Sequence, residues 1–267
     1  MHILDKLNAR IDKTHSLLCV GLDSELSRIP GRFQKEASPQ LTFNRHIIEQ
    51  TLEYAAAYKI NSAFYEAHGA AGWQAMQETM DFLRERAPDV FTIIDAKRAD
   101  IGNTSAQYAA AFFDQMGADA VTLHPYLGGE ALQPFLARAD KASIILCRTS
   151  NTGADELQNL AVEDHDEYLP MWRKVARQVA QHWNTNNNCM LVVGATAPEV
   201  LRDVREEVGD MPLLVPGVGA QGGNLGEVLR FGLDSKGRGL LINASRSIIF
   251  ASDSKNEAHK LYEAMKR

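Results

Sequence analysis

Long hydrophobic runs are missing from this chain. No stretch approaches the ~18 consecutive apolar residues of a membrane-spanning helix, although 45% of the 267 residues are hydrophobic. The N-terminal MHILDKLNARIDK carries charges throughout and has no apolar signal-peptide core. Cysteine is scarce. The three thiols, Cys19, Cys147 and Cys189, are odd in number, show no paired spacing and sit in or beside apolar runs. That pattern excludes a disulfide framework and a cysteine-based metal site, and predicts reduced core residues of a cytoplasmic protein. Excess positive charge is absent too. A net charge of -6 and a pI near 5.8 give no support to a nucleic-acid surface, and basic residues are not interleaved with aromatics. A local pocket for an anion stays open. Finally, CVGLDSEL after the first apolar run is not GxGxxG, which removes the dinucleotide signature of a doubly wound sheet.

Regularly spaced apolar segments are present. Eight strand-like runs lie at 16–23, 56–64, 91–97, 119–125, 143–150, 189–196, 212–219 and 239–245. Most are continuous rather than alternating, as expected of parallel strands covered on both faces. Helix-like spacing of three and four fills the gaps at 44–57, 72–86, 104–116, 130–139, 168–183, 198–208, 222–231 and 254–266. Asn103-Thr104 and the Thr196, Pro198, Glu199 group read as helix starts. Ile3, Leu4, Leu7 and Ile11 line one side of a short N-terminal helix. The acidic AVEDHDEY (161–168) reads as a solvated loop in the longest irregular connection, and NTNNN (184–188) as a turn before the sixth strand. No linker or composition break divides the chain. The expectation is one domain over 1–267, an α/β protein with a (β/α)8 TIM barrel and a short N-terminal helix.

In such a barrel, chemistry gathers at the C-terminal ends of the strands. FTIIDAKRADIGNT (91–104) places Asp95 and Lys97 two residues apart, on one side of a regular strand, with Asp100 in the loop beyond. Asp23 closes the first strand, Lys59 and Asn61 lie in the second, His124 ends the fourth, and Thr149, Ser150 and Asn151 end the fifth. Buried charge must be paired or used, so charged residues at three strand ends point to function. After the seventh strand, VPGVGAQGGN (215–224) combines Gly217, Gly219, Gly222 and Gly223 with Gln221; after the eighth, NASRSIIF (243–250) brings Arg246. Those two loops bind phosphate in many barrels, and a guanidinium matches phosphate oxygens. The residues alone therefore indicate a phosphorylated small molecule and a lysine flanked by carboxylates. Schiff-base chemistry and general-acid catalysis both remain open. The neighbouring carboxylates favour a charged ammonium, and so proton donation.

DAKRADIGNT (95–104) resembles the DxKxxD motif of the orotidine 5'-phosphate decarboxylase family. CVGLD (19–23), the lysine-bearing second strand with AFYE (63–66), RTSN (148–151) and PGVGAQGG extend the resemblance along essentially the whole chain, to the longer bacterial (type 2) branch. The resemblance implies a carboxy-lyase of pyrimidine biosynthesis that makes UMP and carbon dioxide without a metal or organic cofactor. It also implies a homodimer with sites at the interface. Lys97 would deliver a proton to C6 of the pyrimidine, and Asp95 would face the departing carboxylate. Asp100 and Thr104 would reach the neighbouring subunit's site. Asp23 and Lys59 would hold ribose hydroxyls, Ser150 with Thr149 would contact the pyrimidine, and Gln221 and Arg246 would bind the 5'-phosphate. Two alternatives stand beside this. One is a phosphosugar decarboxylase or aldolase, whose magnesium-using form would recruit Glu66 with Asp95; an ordinary rim role for Glu66 and His68 is the simpler reading. The other is a non-catalytic binder of phosphorylated ligands, which has no need of Asp95 and Lys97 together.

Overall fold

The computed structural model of the protein describes residues 2–218 and 223–266. Gly219, Gln221 and Gly222 of the glycine-rich turn lie outside the described residues. The strands are β1 (Leu18–Gly21), β2 (Ala55–Asn61), β3 (Phe91–Arg98), β4 (Ala120–Leu123), β5 (Ala142–Arg148), β6 (Ala161–Asp164), β7 (Glu167–Pro170), β8 (Cys189–Val193), β9 (Leu213–Pro216) and β10 (Leu240–Ala244). Eight of them close into a barrel in the order β1-β10-β9-β8-β5-β4-β3-β2. The β1–β2, β2–β3, β5–β8 and β8–β9 pairs are parallel. This is the expected (β/α)8 barrel, preceded by the expected helix, Ile3–Thr14. β1, β4 and β8 are buried at every position, which explains their uninterrupted apolar sequence. No helix among the described residues is long and apolar enough to cross a membrane.

The chain forms two compact units: Met1–Ala96 with Ala110–Val121 and Asn243–Arg267, and Lys97–Ala109 with Thr122–Ile242. Within the first, the N-terminal helix buries Ile3, Leu7 and Ile11 and also Arg10. The Arg10 guanidinium stays buried because every face is used: it donates to the Ala55 and Leu52 carbonyls at 3.0 and 2.6 Å and to Asp89 Oδ2 at 3.0 Å. Asp119 Oδ2 accepts from Lys6 Nζ at 2.7 Å and from the amide and hydroxyl of Thr92 at 2.9 and 3.0 Å. These bonds tie the helix to the chain just before and within the strands.

Within the second unit, NTNNN acts as the turn it was read to be. Asn188 is fully buried, and its Nδ2 donates to the carbonyls of Leu136, Arg138 and Lys141. The acidic stretch departs from expectation. Residues 161–170 form an antiparallel hairpin, β6 with β7, rather than an irregular loop, although most of 161–168 is exposed as expected. One of its charges is drawn inward: buried Asp164 pairs with Lys174 Nζ at 2.5 Å and Arg177 Nη1 at 2.9 Å, both on the helix Met171–Gln178, while Glu163, Asp166 and Glu167 stay exposed.

All three thiols are free and buried. Burial pushes each of them up to about 12. A thiol that far from ionising reacts slowly, because the thiolate is the nucleophile. A colorimetric thiol reagent at pH 8 is therefore expected to leave the native protein unmodified and to titrate all three cysteines after denaturation.

Candidate active site

The first unit carries a buried charge trio at its strand ends. Lys59 lies in β2, beside Gly21 of β1 and Ile93 of β3, and is 4% exposed. Its Nζ stands 3.1 Å from Asp95 Oδ2 and 3.6 Å from Asp23 Oδ1. Burial alone would depress the ammonium, but the charges of Asp23 and Asp95 outweigh it and raise Lys59 above the usual lysine range. The group is therefore a permanent cation set against two carboxylates.

The chain around Asp23 is locked from behind. Tyr65 donates its hydroxyl to the Leu22 carbonyl at 2.8 Å. Asn44, fully buried, donates to Tyr65 Oη at 2.8 Å and to Thr79 Oγ1 at 3.0 Å, and accepts from Ser24 Oγ at 2.5 Å. Gln40 Nε2 holds the Ser24 and Phe64 carbonyls. The residues on either side of Asp23 are thus fixed, which keeps its carboxylate at Lys59.

Lys97 opens the second unit, two residues after Asp95 on β3. Its backbone is in the left-handed region, φ 48°, so strand alternation does not set its side-chain direction, contrary to the reading from spacing alone. Such a conformation costs a non-glycine residue about 1–2 kcal/mol, and strain of this kind concentrates at functional sites. The surroundings hold it: the Lys97 amide donates to Thr122 Oγ1 at 3.0 Å, and the side chain is exposed. Beyond it, the His124 amide donates to the Arg98 carbonyl at 3.1 Å, and the His124 ring is 3.2 Å from the Ala99 carbonyl. Asp100 Oδ1 accepts from the Ile101 amide at 2.7 Å, and the Gly102 amide donates to Glu130 Oε1 at 3.2 Å. Thr104 is exposed on the helix Gly102–Ala109. Thr122→Val, which keeps the volume and removes the acceptor, is expected to cost about 1–3 kcal/mol, because the Lys97 amide loses its bond. A urea midpoint would check this.

At the end of β5, Thr149 is occupied internally. Its amide donates to Gln158 Oε1 at 2.9 Å, its hydroxyl donates to Asn151 Oδ1 at 2.6 Å, and Gln158 Nε2 donates back to that hydroxyl at 2.7 Å. It shapes the loop and has no spare hydroxyl proton to offer a ring. Ser150 packs just past the end of β8, where Gly194 leaves room: a Cβ there would fall 2.7 Å from Ser150 Cβ and 2.9 Å from its amide nitrogen. The glycine-rich turn is pinched at its base by the Val218–Gly223 bridge, with the Gly223 amide donating to the Gly217 carbonyl at 3.2 Å. Arg246 is exposed and opens the short helix Arg246–Ile249, just past β10.

Of the predicted residues, Asp23, Lys59 and Asp95 are thus brought into direct contact, and Lys97 and Asp100 follow on the same run of chain. Gln221 falls outside the described residues. Glu66 ends the short helix Ala63–Glu66 rather than β2, and among the described residues no three His, Cys, Asp or Glu side chains converge in a metal-ligating group. Thr122, Gln158 and Asn44 were not anticipated. Each acts through a partner distant in sequence, so no local motif marks it.

A sequence model described as "Orotidine 5'-phosphate decarboxylase / HUMPS family" matches residues 16–261. The chain belongs to that family. The orotidine 5'-phosphate decarboxylase of Christiangramia forsetii is 47% identical over 253 residues, 95% of this chain and 91% of the relative. That of Herpetosiphon aurantiacus is 46% identical over 249 residues, 93% and 90% of the two chains. The solved structure of Leishmania donovani OMP decarboxylase superimposes with a TM-score of 0.87 at 40% identity, covering 99% of this chain and 97% of that one. The DxKxxD resemblance therefore reflects membership of the family, and it includes bacterial relatives of nearly the same length.

Proposed function

We propose that the protein decarboxylates orotidine 5'-phosphate to UMP and carbon dioxide, a step of de novo pyrimidine biosynthesis. The observation that carries this is Lys59 held between Asp23 and Asp95, two residues before a strained Lys97, in a chain 47% identical to a bacterial orotidine 5'-phosphate decarboxylase. Loss of carbon dioxide leaves an electron pair on C6 that the ring delocalises poorly. The protein must stabilise that charge more than it stabilises the bound carboxylate. In this reading a charged Lys97 faces C6, stabilises the developing carbanion and then donates its proton. Asp95 lies against the departing carboxylate. Asp23 and Lys59 hold ribose hydroxyls. Gln221 and Arg246 grip the 5'-phosphate, and this remote binding energy orients the ring. Ser150 is the pyrimidine contact, with Thr149 reduced to supporting its loop. No step calls for a metal or organic cofactor.

The further parts of the reading are a single catalytic domain over 1–267, a homodimer and a cytoplasmic location. The family match running from 16 to 261 supports the first. For the dimer, Asp100 and Thr104 would complete the partner's site; exposed Ile101 and Tyr126, at 63% and 85%, supply apolar surface of the kind that interfaces cover. Free, buried thiols agree with a reducing compartment. The test is incubation with orotidine 5'-phosphate and, separately, with ketohexose phosphates, the products being read by NMR. Conversion of the nucleotide to equimolar UMP and carbon dioxide is the expected result. Turnover of a phosphosugar alone would overturn the assignment, and binding without turnover would favour a non-catalytic role.

A further inference from the structure

We propose that Asn243 is a further substrate contact, whose side-chain carbonyl accepts a hydrogen bond from a ribose hydroxyl of the bound nucleotide. Asn243 lies near the C-terminal end of β10, three residues before Arg246. Its Oδ1 is buried and has no donor among the described residues. A buried acceptor left unpaired is costly and rare, and it asks for an explanation.

The location supplies one. A Cβ placed on Gly21 would lie 3.4 Å from Asn243 Oδ1 and 2.7 Å from Ser245 Cβ. Gly21 is the register partner of Lys59 on the neighbouring parallel strand, and paired residues of adjacent strands point to the same face. Asn243 Oδ1 therefore lies on the face to which Lys59 turns, beside the gap that a glycine leaves. The hydroxyl nearest to that gap is already spent, because Ser245 Oγ donates to the Gly21 carbonyl at 3.1 Å. Asp23 Oδ1, two residues along from Gly21, is also buried and, although it faces the Lys59 ammonium at 3.6 Å, accepts no hydrogen bond. Two donor-seeking oxygens at adjoining strand ends suit a ligand carrying vicinal hydroxyls. This inference rests on the nucleotide reading of the site.

The test is Asn243→Leu, a variant of similar volume. Binding of UMP, 2'-deoxy-UMP and 3'-deoxy-UMP is measured by calorimetry, together with kcat, KM and the thermal midpoint. Removing an unpaired buried acceptor leaves a fold as stable or more so. The expected result is an unchanged or higher midpoint, a roughly tenfold loss in UMP affinity with a parallel rise in KM, and no loss for the deoxynucleotide that lacks the hydroxyl concerned. A lower midpoint with UMP binding unchanged, or an equal loss for all three nucleotides, would overturn the assignment. Wild type that binds no UMP would instead overturn the nucleotide reading itself, and Asn243 with it.

Discussion

Lys97→Ala is expected to lower kcat by ~10⁴-fold or more, because in the proposed mechanism it removes both the general acid and the cation facing the developing charge; each effect alone is worth about 10²–10³ or more. KM should change far less, since the phosphate and ribose contacts remain. Lys97→Arg keeps the charge but not the proton donor or the geometry, and should not restore the rate. The strained backbone makes a second, opposite expectation. At φ 48° a glycine sits without strain, so Lys97→Gly should be as inactive as the alanine variant yet about 1–2 kcal/mol more stable relative to it. Ultraviolet initial rates and urea midpoints on the three variants read both effects. Residual activity in Lys97→Ala above a hundredth of the wild-type rate would remove Lys97 from the role of proton donor.

Lys59→Ala should be the most destabilising single change at the site. It leaves Asp23 and Asp95, with side chains only 17% and 12% exposed, facing each other without their cation. Breaking a buried pair by removing one partner costs about 3–5 kcal/mol. Activity should fall as well, through the proposed ribose contacts and the displaced Asp95. The pH dependence has a definite sign. Lys59 is raised in the folded state, so its contribution is fully present below the unfolded lysine value of about 10.4. That contribution is lost as pH climbs through the folded value. The gap in thermal midpoint between wild type and variant should therefore be constant from neutral pH to about 10 and shrink only above that. A midpoint unaffected by the substitution would mean that the trio is solvated and not a buried device.

Residues 16–23, 56–64 and 91–97 announced themselves as buried parallel strands, and the charges at their ends proved to be the trio of Asp23, Lys59 and Asp95. Those features are local: an apolar run, then polar residues at a spacing that a strand turns to one side. The misread parts depend on distant chain. The burial of Asp164 within the otherwise exposed AVEDHDEY was hidden because its partners, Lys174 and Arg177, lie on the next helix. The helix expected over 104–116 is α-helical only to Ala109 and continues as a π-helical stretch, Ala110–Gln115, a change of winding that apolar periodicity does not reveal. The left-handed turn at Lys97 is invisible in the sequence because no glycine marks it. A threonine hydroxyl 25 residues away helps to hold it. The resemblance suggested Thr149 as a pyrimidine neighbour, and the sequence does not show that Gln158 and Asn151 share its amide and hydroxyl. Asn243 drew no notice for a related reason, since only its buried, unpaired oxygen sets it apart.

The central claim is decarboxylation of orotidine 5'-phosphate by side-chain charge alone. The most direct measurement is the ultraviolet absorbance change when wild-type protein, exhaustively treated with EDTA, meets that substrate, repeated after magnesium is added back. The account predicts full conversion to UMP in EDTA and the same rate with magnesium. No absorbance change from folded protein, or a change that appears only when magnesium returns, would contradict it.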